Sequence, residues 1–99
     1  MITLVRTTTV MPGKQVEART FATEIGGVVS RITGNTVRVG SRIGGNPNGI
    51  CWIIQFDNLA QLEEQMGKWV SHAEFQAAAK RTEGLFVPGG VNDQIFQTN

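Results

Sequence analysis

The sequence has a single cysteine, Cys51, so an intramolecular disulfide and a cysteine-built zinc cluster are both excluded. Charge of one sign is also lacking. Nine basic and eight acidic residues leave a formal net charge of +1. No basic excess exists to hold a phosphate backbone, so nucleic acid is not expected as the main partner. No apolar run approaches the roughly 18 residues of a membrane span, so no membrane partner is expected. Met1 to Val10 lacks the charged start, long apolar run and cleavage site of a secretory signal, and the expected location is a reducing cytoplasm. Gly44, Gly45 and Gly49 have neither Walker nor dinucleotide-binding spacing. There is no Gly-x-Ser-x-Gly elbow. His72-Ala73-Glu74 lacks the downstream Pro-Cys-x-x-Cys of a zinc deaminase.

What remains is an ordinary globular composition, 40% hydrophobic and 17% charged. The 99 residues suit one domain over 1–99. A chain this short buries a limited core alone, and oligomerisation is a natural way to bury more.

Hydrophobic spacing changes along the chain. Ile2 to Val10 is rich in residues branched at Cβ and reads as a strand, stopped by Met11-Pro12-Gly13. From Lys14 to Ile32, apolar residues from Ala18 through Phe21, Ile25 and Val29 recur every three or four positions, as on one helix face. Gly26-Gly27 weakens that helix or marks close approach to a strand. Thr36 to Ile43 alternates again, with Val37, Val39 and Ile43 on one face and Arg38 and Arg42 on the other. Gly44 to Gly49 is hairpin loop by composition. Ile50 to Phe56 is apolar on both faces, which predicts an interior strand covered on both sides.

Asp57 or Asn58 can cap a second helix carrying Leu59, Leu62, Met66 and Trp69. Ser71 and Glu74 have capping-box spacing, which predicts a short further helix with Phe75, Ala78 and Ala79 inward. Leu85–Val87 and Val91–Phe96 read as a final strand, interrupted by Pro88-Gly89-Gly90 as at a bulge or sheet edge.

The order βαββαβ predicts an α+β, ferredoxin-like antiparallel sheet with helices on one face and the first and third strands central. Its other face carries Val5, Cys51 and Ile53, and a second copy of the chain is the simplest cover for it.

Three segments then carry a resemblance: the strand leading into Met11-Pro12-Gly13-Lys14 and a long helix; Trp52 to Phe56 running into Asp57-Asn58-Leu59; and Trp69-Val70-Ser71-His72-Ala73-Glu74-Phe75, similar to a tryptophan or serine followed by His-x-x-Phe. Over nearly its whole length the chain resembles the dimeric α+β barrel superfamily. That superfamily includes antibiotic-biosynthesis and heme-degrading monooxygenases, muconolactone isomerases and NIPSNAP-type proteins. The resemblance implies a homodimer in which two sheets close one barrel, with a small hydrophobic ligand between helices and sheet and no cofactor or metal. It leaves chemistry open between cofactor-independent oxygenation of an aromatic or polyketide-like substrate and a non-enzymatic binding or stress-related module. Heme binding is a weaker third reading, because Thr7-Thr8-Thr9 stands where heme-degrading relatives place an asparagine. The lack of tyrosine also removes residues that several such monooxygenases use.

The candidate site residues follow, each with a plainer alternative. His72, the one histidine, is the candidate catalytic proton carrier, or else a helix first-turn residue that packs or faces solvent. Trp52 and Trp69 would stack on a planar ligand or simply fill core. Met66 and Phe21 would line the same pocket, with packing the plainer role for Met66. Arg38 or Arg6 would hold an anionic oxygen, or each would sit in an ordinary ion pair. Cys51 has no cationic neighbour in sequence and reads as inert packing.

Overall fold

The computed structural model describes residues 1–98. Its elements run β1 (Ile2–Thr9), α1 (Gln15–Thr33), β2 (Val37–Ser41), β3 (Gly49–Phe56), α2 (Leu59–Ser71), α3 (Ala73–Ala79) and β4 (Asn92–Gln97), with a 3-10 turn at Lys80–Thr82. The four strands form one antiparallel sheet in the order β2-β3-β1-β4. The first and third strands are therefore central, as the ferredoxin-like reading requires.

Register fixes which side chains meet the helices. Leu4 pairs with Ile54, Arg6 with Trp52 and Thr8 with Ile50. Side chains alternate across a strand, so these positions share one face. On that face Ile2, Leu4, Ile54 and Phe56 pack against Val29 of α1 and Leu62 and Trp69 of α2. The opposite face carries Val5, Cys51, Ile53 and, on β4, Phe96, which is 49% exposed.

Helix ends follow local chemistry. α1 stops at Gly34, whose left-handed backbone (φ 75°) suits a residue without Cβ, and whose N–H donates to the Ser30 carbonyl. The Asn58 side chain accepts from the Gln61 N–H at 2.8 Å and starts α2.

Three expectations need correction. Leu85–Val87 is not strand: it touches the sheet through one isolated bridge, Val10 to Phe86, and β4 begins only at Asn92. The intervening Pro88-Gly89-Gly90 turn separates the two rather than bulging one strand. β2 ends at Ser41, so Arg42 and Ile43 lie beyond it, and Ile43 is almost wholly exposed. The capping box is also absent. Ser71 Oγ donates back to the Gly67 carbonyl inside α2, and Glu74 pairs with Arg31. His72 supplies the cap instead.

A cavity between the helices and the sheet

The layer between helices and sheet is not filled throughout. Toward its α3 end lies a cavity of about 430 Å³, partly open to solvent. That volume falls within the roughly 300–1,000 Å³ typical of small-molecule sites.

Each element contributes for a local reason. β1 and β3 present Leu4, Arg6, Thr8, Trp52 and Ile54 by alternation. α1 adds Phe21, Ile25, Gly26 and Val29 from its apolar stripe. Gly26 keeps α1 close to the sheet, since a Cβ there would lie 3.2 Å from Val39 Cγ2. α2 gives Trp69, α3 gives Phe75 and Ala79, and the segment Phe86–Gly89 closes one side. The closing segment is tied down by backbone bonds from Val87 N–H to the Thr9 carbonyl and from Met11 N–H to the Leu85 carbonyl. Two half-exposed ion pairs, Arg31–Glu74 and Arg81–Glu24, link α1 to α3 and the turn after it.

The aromatic residues are held in place. Trp52 Nε1–H donates to the Ala22 carbonyl at 3.0 Å, which fixes its ring. Phe86 meets Phe21 and Trp52 edge-on at centroid distances of 5.8 and 6.3 Å. Trp69 stacks on Phe56 at 6.4 Å.

Polar groups are few. Arg6 is the one charged residue in the cavity wall. Its Nε and Nη2 donate to the two Asp93 carboxylate oxygens at 2.7 and 2.8 Å, a bidentate pair across the β1–β4 register. These hydrogen bonds lower the Asp93 pKa; burial opposes them in part, and the Arg6 charge adds to them. The same bonds hold Arg6 above its ordinary range. Among the described residues nothing accepts from Arg6 Nη1. Thr8 is 4% exposed, and its hydroxyl has no hydrogen-bond partner among the described residues.

Of the residues singled out from sequence, Trp52, Trp69, Phe21 and Arg6 stand in the wall. Three do not. Met66 packs against the filled core around Phe56 and Leu62. Arg38 is exposed on the opposite sheet face, across from Ile53. His72 is exposed between α2 and α3, and its Nδ1 accepts from the Glu74 N–H at 3.1 Å. That bond ties up one ring nitrogen as a helix cap, away from the cavity wall. Thr8, Phe86 and Asp93 were not singled out from sequence. The parity shared with Leu4 marks Thr8; no local signal marks Phe86, which reads as strand.

The architecture has close counterparts among solved structures. A NIPSNAP domain protein from Burkholderia xenovorans superposes with a TM-score of 0.85 at 16% identity, covering 100% of this chain and 95% of that one. A NIPSNAP family protein from Agrobacterium tumefaciens gives 0.83 at 20% identity, over 99% and 92%. A candidate antibiotic biosynthesis monooxygenase from Deinococcus radiodurans gives 0.72 at 12% identity, over 100% and 93%. The chain shares the fold of these proteins. No protein-family model matches it, and neither does any curated protein. Identities this low carry the fold and not the chemistry.

The third reading, heme, finds no support in the wall. None of the wall residues is a histidine, cysteine, methionine or carboxylate, so none offers an axial iron ligand. No group of three His, Cys, Asp or Glu among the described residues could hold a metal ion. No helix there is long and apolar enough to cross a membrane.

Proposed function

We propose that this protein binds a small, planar, largely apolar molecule in the cavity beneath α1 and α3. The observation that carries this reading is the wall itself. Trp52, Trp69, Phe21, Phe75 and Phe86 surround about 430 Å³ beside a single charged side chain. Such a wall gives a flat hydrophobic ligand aromatic contacts and burial together.

Binding is favoured over proton-transfer catalysis. A general base must reach the proton it removes, and the polar side chains in the wall are Arg6, Thr8 and Thr82. None is a base near neutral pH, and His72 stands elsewhere. Oxygenation of an aromatic or polyketide-like substrate remains the second reading, drawn from the fold shared with candidate monooxygenases. An oxygen electrode with polycyclic phenols tests it.

A second copy of the chain is the proposed cover for the open sheet face, where Val5, Ile53 and Phe96 stand together. Light scattering of the wild type and of Phe96→Glu tests this. A dimer that dissociates in the variant supports it, and a monomeric wild type refutes it.

The ligand reading is tested with N-phenyl-1-naphthylamine, an uncharged probe that brightens in apolar surroundings. The expected result is saturable binding at one probe per chain, lost in Ala79→Phe, which puts an aromatic ring into the cavity. Binding unchanged in that variant would place the probe elsewhere and overturn the reading.

A further inference from the structure

Resting on that cavity reading, we infer that the site selects uncharged ligands bearing a carbonyl or similar acceptor oxygen, and that Asp93 sets this preference by neutralising Arg6. The argument starts from charge. An arginine as the one charged residue of an apolar wall would ordinarily mark a carboxylate site, because its planar fork matches two carboxylate oxygens. Here the fork is already filled. Arg6 Nε and Nη2 both donate to Asp93, at 2.7 and 2.8 Å. Asp93 belongs to the neighbouring edge strand and is not itself part of the wall.

An incoming carboxylate therefore meets a neutral pair, not a cation. It would lose hydration on entering an apolar cavity without a full counter-charge to offset the loss. An uncharged carbonyl loses far less hydration and needs only a hydrogen-bond donor. Two are present on β1, two residues apart on the same face. Arg6 Nη1 has no acceptor among the described residues, and the Thr8 hydroxyl is buried without a partner. A buried polar group left unpaired is costly; the Thr8 oxygen is itself closed off, and a turn about its χ1 is what would bring it to a ligand atom that completes the bonding. The rings of Trp52 and Phe86 then supply the apolar part of the contact.

The structure assigns Thr8 and Arg6 as ligand-positioning residues and Asp93 as the residue that rejects anions. The test uses two competitors of nearly the same shape, 2-acetonaphthone and 2-naphthoate, displacing N-phenyl-1-naphthylamine. In the wild type the ketone should displace the probe at least ten-fold more effectively than the acid. Asp93→Asn keeps an acceptor for Arg6 but removes the negative charge, and should bring the two competitors level or favour naphthoate. Thr8→Val should weaken the ketone several-fold without lowering the thermal midpoint, which separates a positioning role from a structural one. Equal competition in the wild type, or a ratio unmoved by Asp93→Asn, overturns the inference while the cavity reading stands. A probe that does not bind at all overturns both.

Discussion

The helix–sheet layer rests on the same strands throughout, yet the region around Phe56 is solid while the middle of the layer, toward α3, is hollow. At the solid end Phe56 is 1% exposed and stacks on Trp69, with Ile2, Leu62 and Val29 around it. Beside the cavity Trp52 and Phe86 are only partly buried, with the packed Val10, Ala18, Ala22 and Ile50 beyond them. The covering elements explain the contrast. The solid region lies under α1 and the 13-residue α2, whereas the hollow one is roofed by α1, Trp69 at the end of α2, the 7-residue α3, a 3-10 turn and a tethered loop. Two long amphipathic helices close-pack a sheet; a short helix and a loop leave space that side chains do not reach.

The sharpest way to break this comparison is to truncate one aromatic in each region. Phe56→Ala empties a close-packed site and should cost about 3–5 kcal/mol, enough to leave a small domain barely folded. Phe86→Ala enlarges an existing cavity and should cost less than about 2 kcal/mol, since part of its surface is already unpacked. Urea denaturation reads both. Equal losses would mean the hollow region closes up in solution.

A second comparison runs along β1 and concerns hydroxyls. Thr3 and Thr8 are both buried. Thr3 Oγ1 accepts from Gln55 Nε2 at 3.3 Å and lies 3.4 Å from Thr98 Oγ1, whereas Thr8 Oγ1 has no partner among the described residues. Thr3→Val should cost about 1 kcal/mol and Thr8→Val should stabilise by about the same amount. Matching losses at both positions would show that Thr8 is satisfied in solution without a ligand.

These contrasts mark how far the sequence was legible. The alternation of Ile50, Trp52, Ile54 and Phe56 identified a central strand and its helix-facing side, because a period of two maps directly onto the pleat. It could not separate Trp52 at the cavity from Phe56 in the filled core, since both fulfil the same pattern. Periodicity reports which way a side chain points and nothing about how much of the space above it is filled. The Arg6–Asp93 pair joins residues far apart in the chain, and only the β1–β4 register brings them opposite. His72 lies where its plainer alternative put it, exposed at the start of α3, but its part as the cap was not legible. Its capping role depends on where α2 breaks, and the Ser71–Glu74 spacing pointed one residue too early.

Adjacent glycines on α1 sharpen the comparison at smaller scale. A Cβ at Gly27 would meet only Arg31 Nη1, at 3.8 Å, so Gly27→Ala should stabilise by about 0.5–1 kcal/mol through helix propensity. At Gly26 the same gain is opposed by Val39 at 3.2 Å and Val37 at 3.5 Å, and the substitution should come out near neutral. Thermal unfolding distinguishes them. An equal gain at both sites would show that α1 can lift from β2 at no cost, and that Gly26 does not set the depth of the cavity.

The smallest expected effect concerns the rim of the hollow region and depends on pH. Asp93 ionises below the ordinary carboxylate value of 3.8 in the folded chain, chiefly because Arg6 donates hydrogen bonds to it. Its contribution to stability is therefore complete above that ordinary value and is lost as pH falls through the lower folded one. Both partners are about a third exposed, at 31% and 35%, so screening keeps the gain below about 1 kcal/mol. Unfolding free energies of the wild type and Asp93→Asn, compared between pH 6 and pH 2, should differ more at the upper end than at the lower. Among the described residues no carboxylate is buried at the solid end to produce such a slope. A difference that does not shrink toward pH 2 would mean that the Asp93 side chain stabilises the edge strand by shape and hydrogen bonding rather than by its charge.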